Sequence, residues 1–230
     1  MNNLAVIVPF YNEENYLQKS INRLIDSDIF DQIILVDDCS TDNSASIANE
    51  NVLKINKMIY LKSSSNKGKG NALNLAKNII ETSHVIIHDA DLEYFPDDIV
   101  EMFNCVEDNQ DSLILGSRFI GNKKRENVYT RTFLANKTMS SFFSFVNGYQ
   151  VSDVATCYKL MPTSFFKDMD IKENGFSIEI EILSKFLKYN KSIKEVPIKY
   201  EGRSYEQGKK IKTSDGFKYL FNTIKYRMFN

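Results

Sequence analysis

The sequence has few cysteines, little net charge and no long apolar run. Its cysteines are scattered without a Cys-x-x-Cys pair, so we expect reduced thiols and no disulfide framework; they are Cys39, Cys105 and Cys157. No uncharged apolar stretch approaches the ~18 residues that a membrane-spanning helix needs. The chain enters a short apolar segment almost at once, which is not the pattern of a signal peptide. We therefore expect a cytoplasmic protein, or one bound peripherally at the cytosolic face of a membrane.

The charge is nearly balanced, with 29 Lys+Arg against 30 Asp+Glu and a net charge of −1. This balance argues against a chain that coats nucleic acid, so no nucleic-acid partner is expected. The distribution is uneven, because residues 185–230 hold 12 Lys+Arg and 4 Asp+Glu, a balance of +8 that leaves −9 for residues 1–184. The asymmetry predicts an acidic end that holds metal or substrate, and a basic end that meets an anionic partner.

Short apolar runs alternate with amphipathic stretches through the first half of the chain. The runs are typical of buried strands and lie at Leu4–Phe10, Gln32–Asp37, 58–61, 84–88 and 112–115. Strands that alternate with helices predict right-handed crossovers and an α/β fold with a mostly parallel central sheet flanked by helices. Such sheets bind ligands beyond the carboxyl ends of their strands. No repeat or Pro/Gly-rich linker divides the chain, so we predict one domain.

The second half is less regular. We predict helices at 131–146 and 176–189, a strand at 192–200 with Pro197 indicating a sheet edge, and an amphipathic helix at 215–228. Phe142, Phe143 and Phe145 are too close in sequence to share one core-facing stripe of a helix. An apolar helix surface beside basic residues suits a lipid or an anionic membrane, and plain core packing explains the same pattern.

Acidic residues gather at the ends of three predicted strands. They are Glu13 and Glu14 after the first, Asp37, Asp38 and Asp42 after the second, and Asp89, Asp91 and Glu93 after the fourth. Carboxylates at one edge repel one another unless a cation joins them. Hard oxygen ligands, completed by phosphate oxygens, suit Mg²⁺ or Mn²⁺. The pattern predicts a divalent metal and a phosphate-bearing ligand, with helix capping as the alternative, for Asp42 above all.

Three segments resemble a family 2 glycosyltransferase of the GT-A fold: Val8-Pro9-Phe10-Tyr11-Asn12-Glu13-Glu14, Asp37-Asp38-x-Ser40-x-Asp42 and Asp89-Ala90-Asp91. The segment 66–72 is similar to the one that opens the third helix in that family. Gly116-Ser117-Arg118-Phe119 and Tyr200-x-Gly202-Arg203 resemble its polyprenyl-phosphate branch, which includes the dolichyl-phosphate mannose and glucose synthases, and 153–159 is similar to a bacterial subgroup. The resemblance implies a Rossmann-like single domain over 1–230, with a nucleotide-sugar half at 1–117 and an acceptor half at 118–230 that ends in an amphipathic helix.

The same resemblance implies roles for particular residues. Around the nucleotide sugar, linked to GDP or UDP, it puts Pro9, Tyr11, Glu13, Asp38, Asp89, Ala90 and Asp91. It implies that Mg²⁺ or Mn²⁺ is held by Asp89, Asp91 and Glu93. For the acceptor phosphate it implies Arg118, Arg131, Arg203 and Lys209, and the catalytic residues would be Asp91, Arg118, Glu179 and Glu181. The implied activity is inverting transfer of a hexose to a polyprenyl phosphate.

Other functions stay open on the sequence. A hydroxyl acceptor of a surface polysaccharide needs a general base, for which Glu179 or Glu181 is the candidate, whereas a phosphate monoester with a second pKa of ~6 is already a nucleophile. Ala155 stands where the bacterial subgroup usually has Glu, which removes a carboxylate near the acceptor and leaves room for a non-catalytic nucleotide-sugar-binding subunit. A sugar nucleotidyltransferase would need a Gly-rich loop after the first strand, whereas residues 9–13 of this chain contain no glycine. The segment 67–70 lacks the spacing of a P-loop, which argues against an ATPase.

Overall fold

A computed structural model describes residues 2–175, 177–189, 192–203 and 213–229. The strands of this part of the chain are β1 (Leu4–Phe10), β2 (Gln32–Asp37), β3 (Met58–Lys62), β4 (His84–Ile87), β5 (Leu113–Ser117), β6 (Arg125–Glu126), β7 (Lys159–Pro162), β8 (Ile193–Pro197) and β9 (Tyr200–Glu201). The helices are α1 (Leu17–Asp26), α2 (Ser44–Val52), α3 (Lys69–Ala76), α4 (Asp97–Asn104), α5 (Thr130–Asn147), α6 (Thr163–Asp168), α7 (Ile178–Lys188) and α8 (Thr213–Met228), and a short 3₁₀ helix (Lys77–Ile79) follows α3.

The central sheet has the order β3-β2-β1-β4-β7-β5-β8. Its strands pair in parallel, except that β7 runs antiparallel to both of its neighbours, β4 and β5. Two further strands, β6 and β9, form a separate parallel pair. The α/β class with a mostly parallel sheet is therefore confirmed.

Two layers of helices cover the sheet, and β1 shows why. Its alternate side chains face opposite sides, so Ala5 and Ile7 join one buried cluster while Val6 and Val8 join the other. A strand buried on both faces needs apolar residues at every position, which the run Leu4–Phe10 supplies.

The strands predicted in the first half are confirmed to within one residue at most ends. In the second half, the predicted strand at 192–200 divides into β8 and β9, and β8 lies at the sheet edge as Pro197 indicated. The sequence did not predict β7, because four residues after an irregular segment give too short a pattern to recognise. The predicted helices correspond to α5, α7 and α8, with ends shifted by one or two residues.

The order of the strands determines where a ligand can bind. The chain builds outward from β1 through β2 to β3, and then returns to place β4 on the other side of β1. At such a reversal the loops that follow the two central strands diverge and leave a crevice. The loops in question carry Glu13 after β1 and Asp89 and Asp91 after β4.

Candidate active site

A cavity of about 290 Å³ opens at the carboxyl ends of β1, β2 and β4. It brings together most of the residues that the sequence singled out. Those that line it are Pro9, Tyr11, Glu13, Asp38, Asp89, Ala90, Asp91, Glu93, Arg118, Glu179 and Arg203. These residues come from both halves of the sequence, so segments that are remote along the chain meet at the carboxyl ends of the strands and form one cavity.

The loop after β4 turns sharply between two acidic residues. Leu92 has a φ of 64°, a left-handed conformation that is uncommon for a residue other than glycine. The backbone N–H of Glu93 donates a hydrogen bond to Oδ1 of Asp91 at 3.2 Å, which stabilises the turn. As a result, the carboxylates of Asp91 and Glu93 both reach the same arginine, Arg203.

Arg203 inserts its guanidinium among the acidic side chains. Its Nη1 lies 3.3 Å from Oε2 of Glu13 and its Nη2 lies 3.2 Å from Oδ2 of Asp91. Its backbone N–H donates to Oε1 of Glu93 at 2.8 Å. Burial opposes the charge of the guanidinium, but the three carboxylates outweigh burial and raise the pKa of Arg203. The sequence had placed this residue at an acceptor phosphate, and its position among the donor-side acids was not predicted.

Asp91 lies close to other negative charges that Arg203 does not fully offset. Burial, followed by the negative charges of Glu93 and Asp89, raises the pKa of Asp91 to about 7. The ionised form of a carboxyl group in such surroundings is stabilised when a cation or a ligand with hydrogen-bond donors binds beside it. Asp91 therefore has the electrostatic character expected of a metal or phosphate-sugar site.

The donor atoms suit a hard divalent cation, because carboxylate oxygens are the ligands that Mg²⁺ and Mn²⁺ prefer. Among the residues that the structure describes, however, no three His, Cys, Asp or Glu side chains are arranged to hold one metal ion. Glu93 is turned away from that role, since its Oε2 accepts the Tyr200 hydroxyl at 2.6 Å and its Oε1 accepts the backbone of Arg203. In the structure Glu93 binds Tyr200 and the backbone of Arg203, so Asp89 and Asp91 remain as the candidate metal ligands.

Asp89 is held by a lysine that the sequence did not single out as a site residue. The ammonium of Lys69, in the first turn of α3, lies 2.7 Å from Oδ1 of Asp89 and 2.8 Å from Oε1 of Glu179. Although burial opposes it, Lys69 lowers the pKa of Asp89. Lys69 belongs to the segment 66–72 that the resemblance covers, so a signal was available, but no motif rule assigns it this contact.

Asp38 lines the cavity and also binds the backbone of the loop before α3. Its carboxylate accepts backbone hydrogen bonds from Lys67 at 3.1 Å and from Gly68 at 2.6 Å. This carboxylate therefore holds the loop before α3 in place, and that role is additional to the nucleotide contact that the sequence predicted. Asp42 lies just before Asn43, the N-cap of α2, and its Oδ1 accepts the N–H of Ser44, the first residue of that helix, at 3.0 Å.

The two candidate bases on α7 have different surroundings. Glu179 lines the cavity, whereas Glu181 is fully buried and is not among the lining residues. The carboxylate of Glu181 accepts the backbone N–H groups of Lys172 at 2.9 Å and Glu173 at 2.8 Å, and it pairs with Lys185 at 2.6 Å. In the structure Glu181 lies away from the cavity and holds the segment that precedes α7, and its catalytic assignment stays a prediction.

Arg118, directly after β5, also lines the cavity. Its guanidinium forms a two-point ion pair with Asp153 and stacks over the ring of Tyr200, 4.9 Å from the ring centroid. Two further residues were predicted at the acceptor phosphate. Arg131 is exposed at the start of α5 and does not line the cavity, so its assignment stays a prediction. Lys209 lies outside the described residues.

Next to the cavity, α5 and α8 pack together and carry an apolar surface. Phe143 is buried in the core, while Phe145 is 86% exposed, so the adjacent phenylalanines do separate as the sequence indicated. We call the exposed apolar residues of these helices, together with the residue that follows α8, the outer stripe: Leu134, Phe145, Phe221, Ile224, Met228 and Phe229. None of the helices in the described residues is long and apolar enough to span a bilayer.

Comparisons with known proteins agree with this geometry. The family model described as "Glycosyl transferase family 2" matches residues 5–170. The chain is similar to the UDP-N-acetylglucosamine–dolichyl-phosphate N-acetylglucosaminyltransferase of Methanococcus voltae, with 28% identity over 98% of this chain and 96% of that protein. It is also similar to the polyprenol monophosphomannose synthase of Mycolicibacterium smegmatis, with 24% identity over 86% of this chain and 77% of that protein.

A solved structure shares the architecture. It is the glucosyl-3-phosphoglycerate synthase of Mycobacterium tuberculosis in complex with Mn²⁺, UDP-glucose and phosphoglyceric acid, which superposes with a TM-score of 0.76 and 14% identity over 98% of this chain and 79% of that one. At this identity the likeness concerns the fold. It confirms the predicted GT-A arrangement.

Proposed function

This chain belongs to glycosyl transferase family 2, and on that premise we propose that it transfers a hexose from a nucleoside diphosphate sugar to a polyprenyl phosphate. The observation that carries the proposal is a single cavity lined both by the acidic pair Asp89 and Asp91 and by the guanidinium group of Arg118. The acids suit the metal-bound diphosphate of a donor, and the arginine suits the phosphate of an acceptor. Relatives named for transfer to dolichyl phosphate or polyprenol support the acceptor class.

On the donor side, Asp89 and Asp91 would hold Mg²⁺ or Mn²⁺ together with the diphosphate, and Pro9, Tyr11 and Glu13 would line the nucleoside. The cation would offset the negative charge that develops on the leaving diphosphate. Lys69 keeps Asp89 in place, and Asp38 holds the loop that leads into α3. The Mn²⁺ and UDP-sugar named for the structural neighbour support this set of ligands.

On the acceptor side, the nucleophile brings its own negative charge. A phosphate monoester has a second pKa of ~6 and needs no proton removed at neutral pH. One of its oxygens would form a bond to the anomeric carbon of the sugar as the bond from that carbon to the diphosphate breaks, and the nucleoside diphosphate would leave. Arg118 is oriented for this by Asp153, which binds its Nε and Nη2 and leaves Nη1 outside that pair. The hydroxyl-acceptor alternative lacks such support, because Glu179 is paired with two lysines.

The lipid of the acceptor would meet the outer stripe. Phe221, Ile224 and Met228 lie at positions i, i+3 and i+7 of α8 and are all exposed. The neighbouring exposed Lys218 and Arg227 favour an anionic membrane surface. We therefore include peripheral contact with the cytosolic face of a membrane in the proposal.

The experiment incubates the protein with Mn²⁺, labelled UDP- or GDP-linked hexoses and undecaprenyl phosphate, followed by organic extraction. Label in the organic phase is expected for one donor, and it should be lost with Asp91→Asn. Asp97→Asn is the matched control, because Asp97 is exposed in the first turn of α4 and does not line the cavity. Label that stays in the aqueous phase with every donor would refute the lipid acceptor, and its appearance in an added polysaccharide would favour the hydroxyl alternative.

A further inference from the structure

Four charged side chains of alternating sign lead from the cavity into the core. They follow the order Asp89, Lys69, Glu179 and Lys159, and each contacts the next. The exposed fraction of these side chains falls along the series, from 27% at Asp89 through 11% and 4% to 0% at Lys159. We call this series the charge chain. It links the end of β4 to α3, α7 and β7.

The innermost member has no route to solvent. Lys159 lies on β7, the central antiparallel strand, and its ammonium donates to the backbone carbonyls of Val154 and Thr156 as well as to Glu179. A buried ammonium is costly unless it is paired and hydrogen-bonded, and here those conditions are met. Lys159 therefore fixes one oxygen of Glu179 in the core.

The other oxygen of Glu179 is fixed by Lys69 at 2.8 Å. A general base must offer a lone pair to the proton of the acceptor. In Glu179 both carboxylate oxygens already accept ammonium protons, so the geometry is that of a bridge between two lysines. Without the bridging carboxylate the two ammonium groups would face each other, and Lys159 would repel Lys69 from its place beside Asp89.

We propose that Glu179 is a positioning residue: anchored by Lys159, it holds Lys69, which in turn orients Asp89 toward the diphosphate of the donor. This inference rests on the proposed function, since Asp89 is a donor ligand only in that reaction. It assigns Glu179 to donor binding and takes it out of acceptor activation. Lys69 and Lys159 lie in the segments 66–72 and 153–159 that the resemblance covers, where no role was assigned to them, and they become parts of the donor site.

The charge chain suggests a test by charge balance. Glu179→Gln removes one negative charge and leaves Lys69 and Lys159 to repel each other, so the dissociation constant for Mn²⁺ with UDP or GDP should rise about 10- to 100-fold, the usual effect of losing a residue that supports a ligand. Adding Lys159→Met removes the repelling charge and should restore most of the affinity. Isothermal titration calorimetry measures this binding without turnover. A steady-state assay should show the same loss and recovery in the KM for the donor.

A catalytic base would behave differently. Its loss would lower kcat by about 10²- to 10⁴-fold with the nucleotide affinity unchanged, and Lys159→Met could not replace it. That pattern would overturn the proposal, as would a double variant that binds no better than Glu179→Gln alone.

Two further variants test the inference in case Glu179→Gln does not fold. Lys69→Met leaves the Glu179–Lys159 pair intact and should weaken nucleotide binding to a similar degree, so wild-type affinity in this variant would overturn the inference. Glu50→Gln removes the same charge from an exposed position of α2 outside the cavity lining, and it should leave nucleotide affinity unchanged. Wild-type protein that binds Mn²⁺ and nucleotide but makes no lipid-linked sugar would contradict the proposed acceptor alone, because the charge-chain variants are scored on donor binding.

Discussion

Arg118 and Asp153 form a buried two-point ion pair, with Nε 2.7 Å from Oδ2 and Nη2 2.8 Å from Oδ1. The backbone N–H of Arg118 also donates to Oδ2 at 3.0 Å. The pair joins the end of β5 to the loop between α5 and β7, two segments that are 35 residues apart. The same guanidinium lies over the ring of Tyr200, 4.9 Å from the ring centroid.

Asp153→Asn should destabilise the protein by about 3 kcal/mol, because it leaves a buried guanidinium without its counter-charge. Urea denaturation followed by circular dichroism measures the change. The matched control is Glu126→Gln, which removes an ion pair with Lys124 at the surface and should leave the transition where it was. Equal midpoints for Asp153→Asn and wild type would show that the buried pair contributes no net stability.

Gly70 permits the close approach of α3 to the segment before α7. A Cβ at this position would lie 1.8 Å from the carbonyl oxygen of Glu173, so the backbone would have to move. Gly70→Ala should therefore cost more than about 2 kcal/mol in the free energy of unfolding, and it should weaken nucleotide binding because Lys69 shifts with α3. Thermal denaturation and nucleotide titration measure the two effects.

Gly175→Ala is the control for that substitution, since a Cβ at Gly175 meets nothing within 4 Å. Its Tm and nucleotide affinity should equal those of the wild type. If Gly70→Ala behaved in the same way, the tight contact between α3 and the segment 173–174 would not be needed for the site.

The outer stripe should mediate binding to membranes. The double variant Phe221→Ser, Met228→Ser removes two exposed apolar side chains of α8, each of which would contribute about 1.5–3 kcal/mol if fully buried in lipid. We expect partition into anionic phosphatidylglycerol vesicles to fall by more than about tenfold, measured by flotation. Leu53→Ser removes a side chain that is 87% exposed near the end of α2 and should leave partition unchanged. An unaltered partition of the double variant would exclude this face of α8 as the contact.

His84 should make stability depend on pH. Its Nε2 lies 3.0 Å from the carbonyl oxygen of Gln110 and donates to it, and burial lowers the pKa of His84 in spite of that bond. Because the folded-state pKa lies below that of the unfolded chain, the neutral imidazole contributes stability above pH ~6.5, and this contribution is lost as the pH falls.

The measurement compares wild type with His84→Gln, whose amide can still donate to Gln110. Over a fall from pH 7.5 to pH 5, the free energy of unfolding should decrease more for the wild type than for the variant. Parallel curves would mean that His84 has the same pKa in both states.

Much of the fold followed from the sequence. Apolar runs such as Leu4–Phe10 have no polar position, and only a strand buried on both faces accommodates that composition. The acidic residues that follow the strands could be assigned to one edge of the sheet, since parallel strands end on the same side. For this reason Glu13, Asp89 and Asp91 were expected together, and they do line one cavity.

The roles of individual charged residues were harder to predict. Glu179 and Glu181 are two residues apart and carry the same group, yet one faces the cavity and the other binds the backbone of 172–173. Arg131 and Arg203 had the same assignment, but one is exposed and the other lies among three acids. Sequence pattern indicates that such residues are charged; it does not indicate which partner each will reach.

The sequence by itself determined the class of fold, the side of the sheet on which the cavity opens and the acidic character of that side, because periodicity and strand ends are local properties of a chain. Tertiary structure decided the contacts that give the site its chemistry. Lys159 illustrates the difference: it occupies an interior strand with no exposure, and it is tolerated there because Glu179, on a separate helix, supplies the opposite charge and backbone carbonyls accept its other protons. A pairing of this kind depends on distances between remote segments, which packing of the whole sheet and its helices determines.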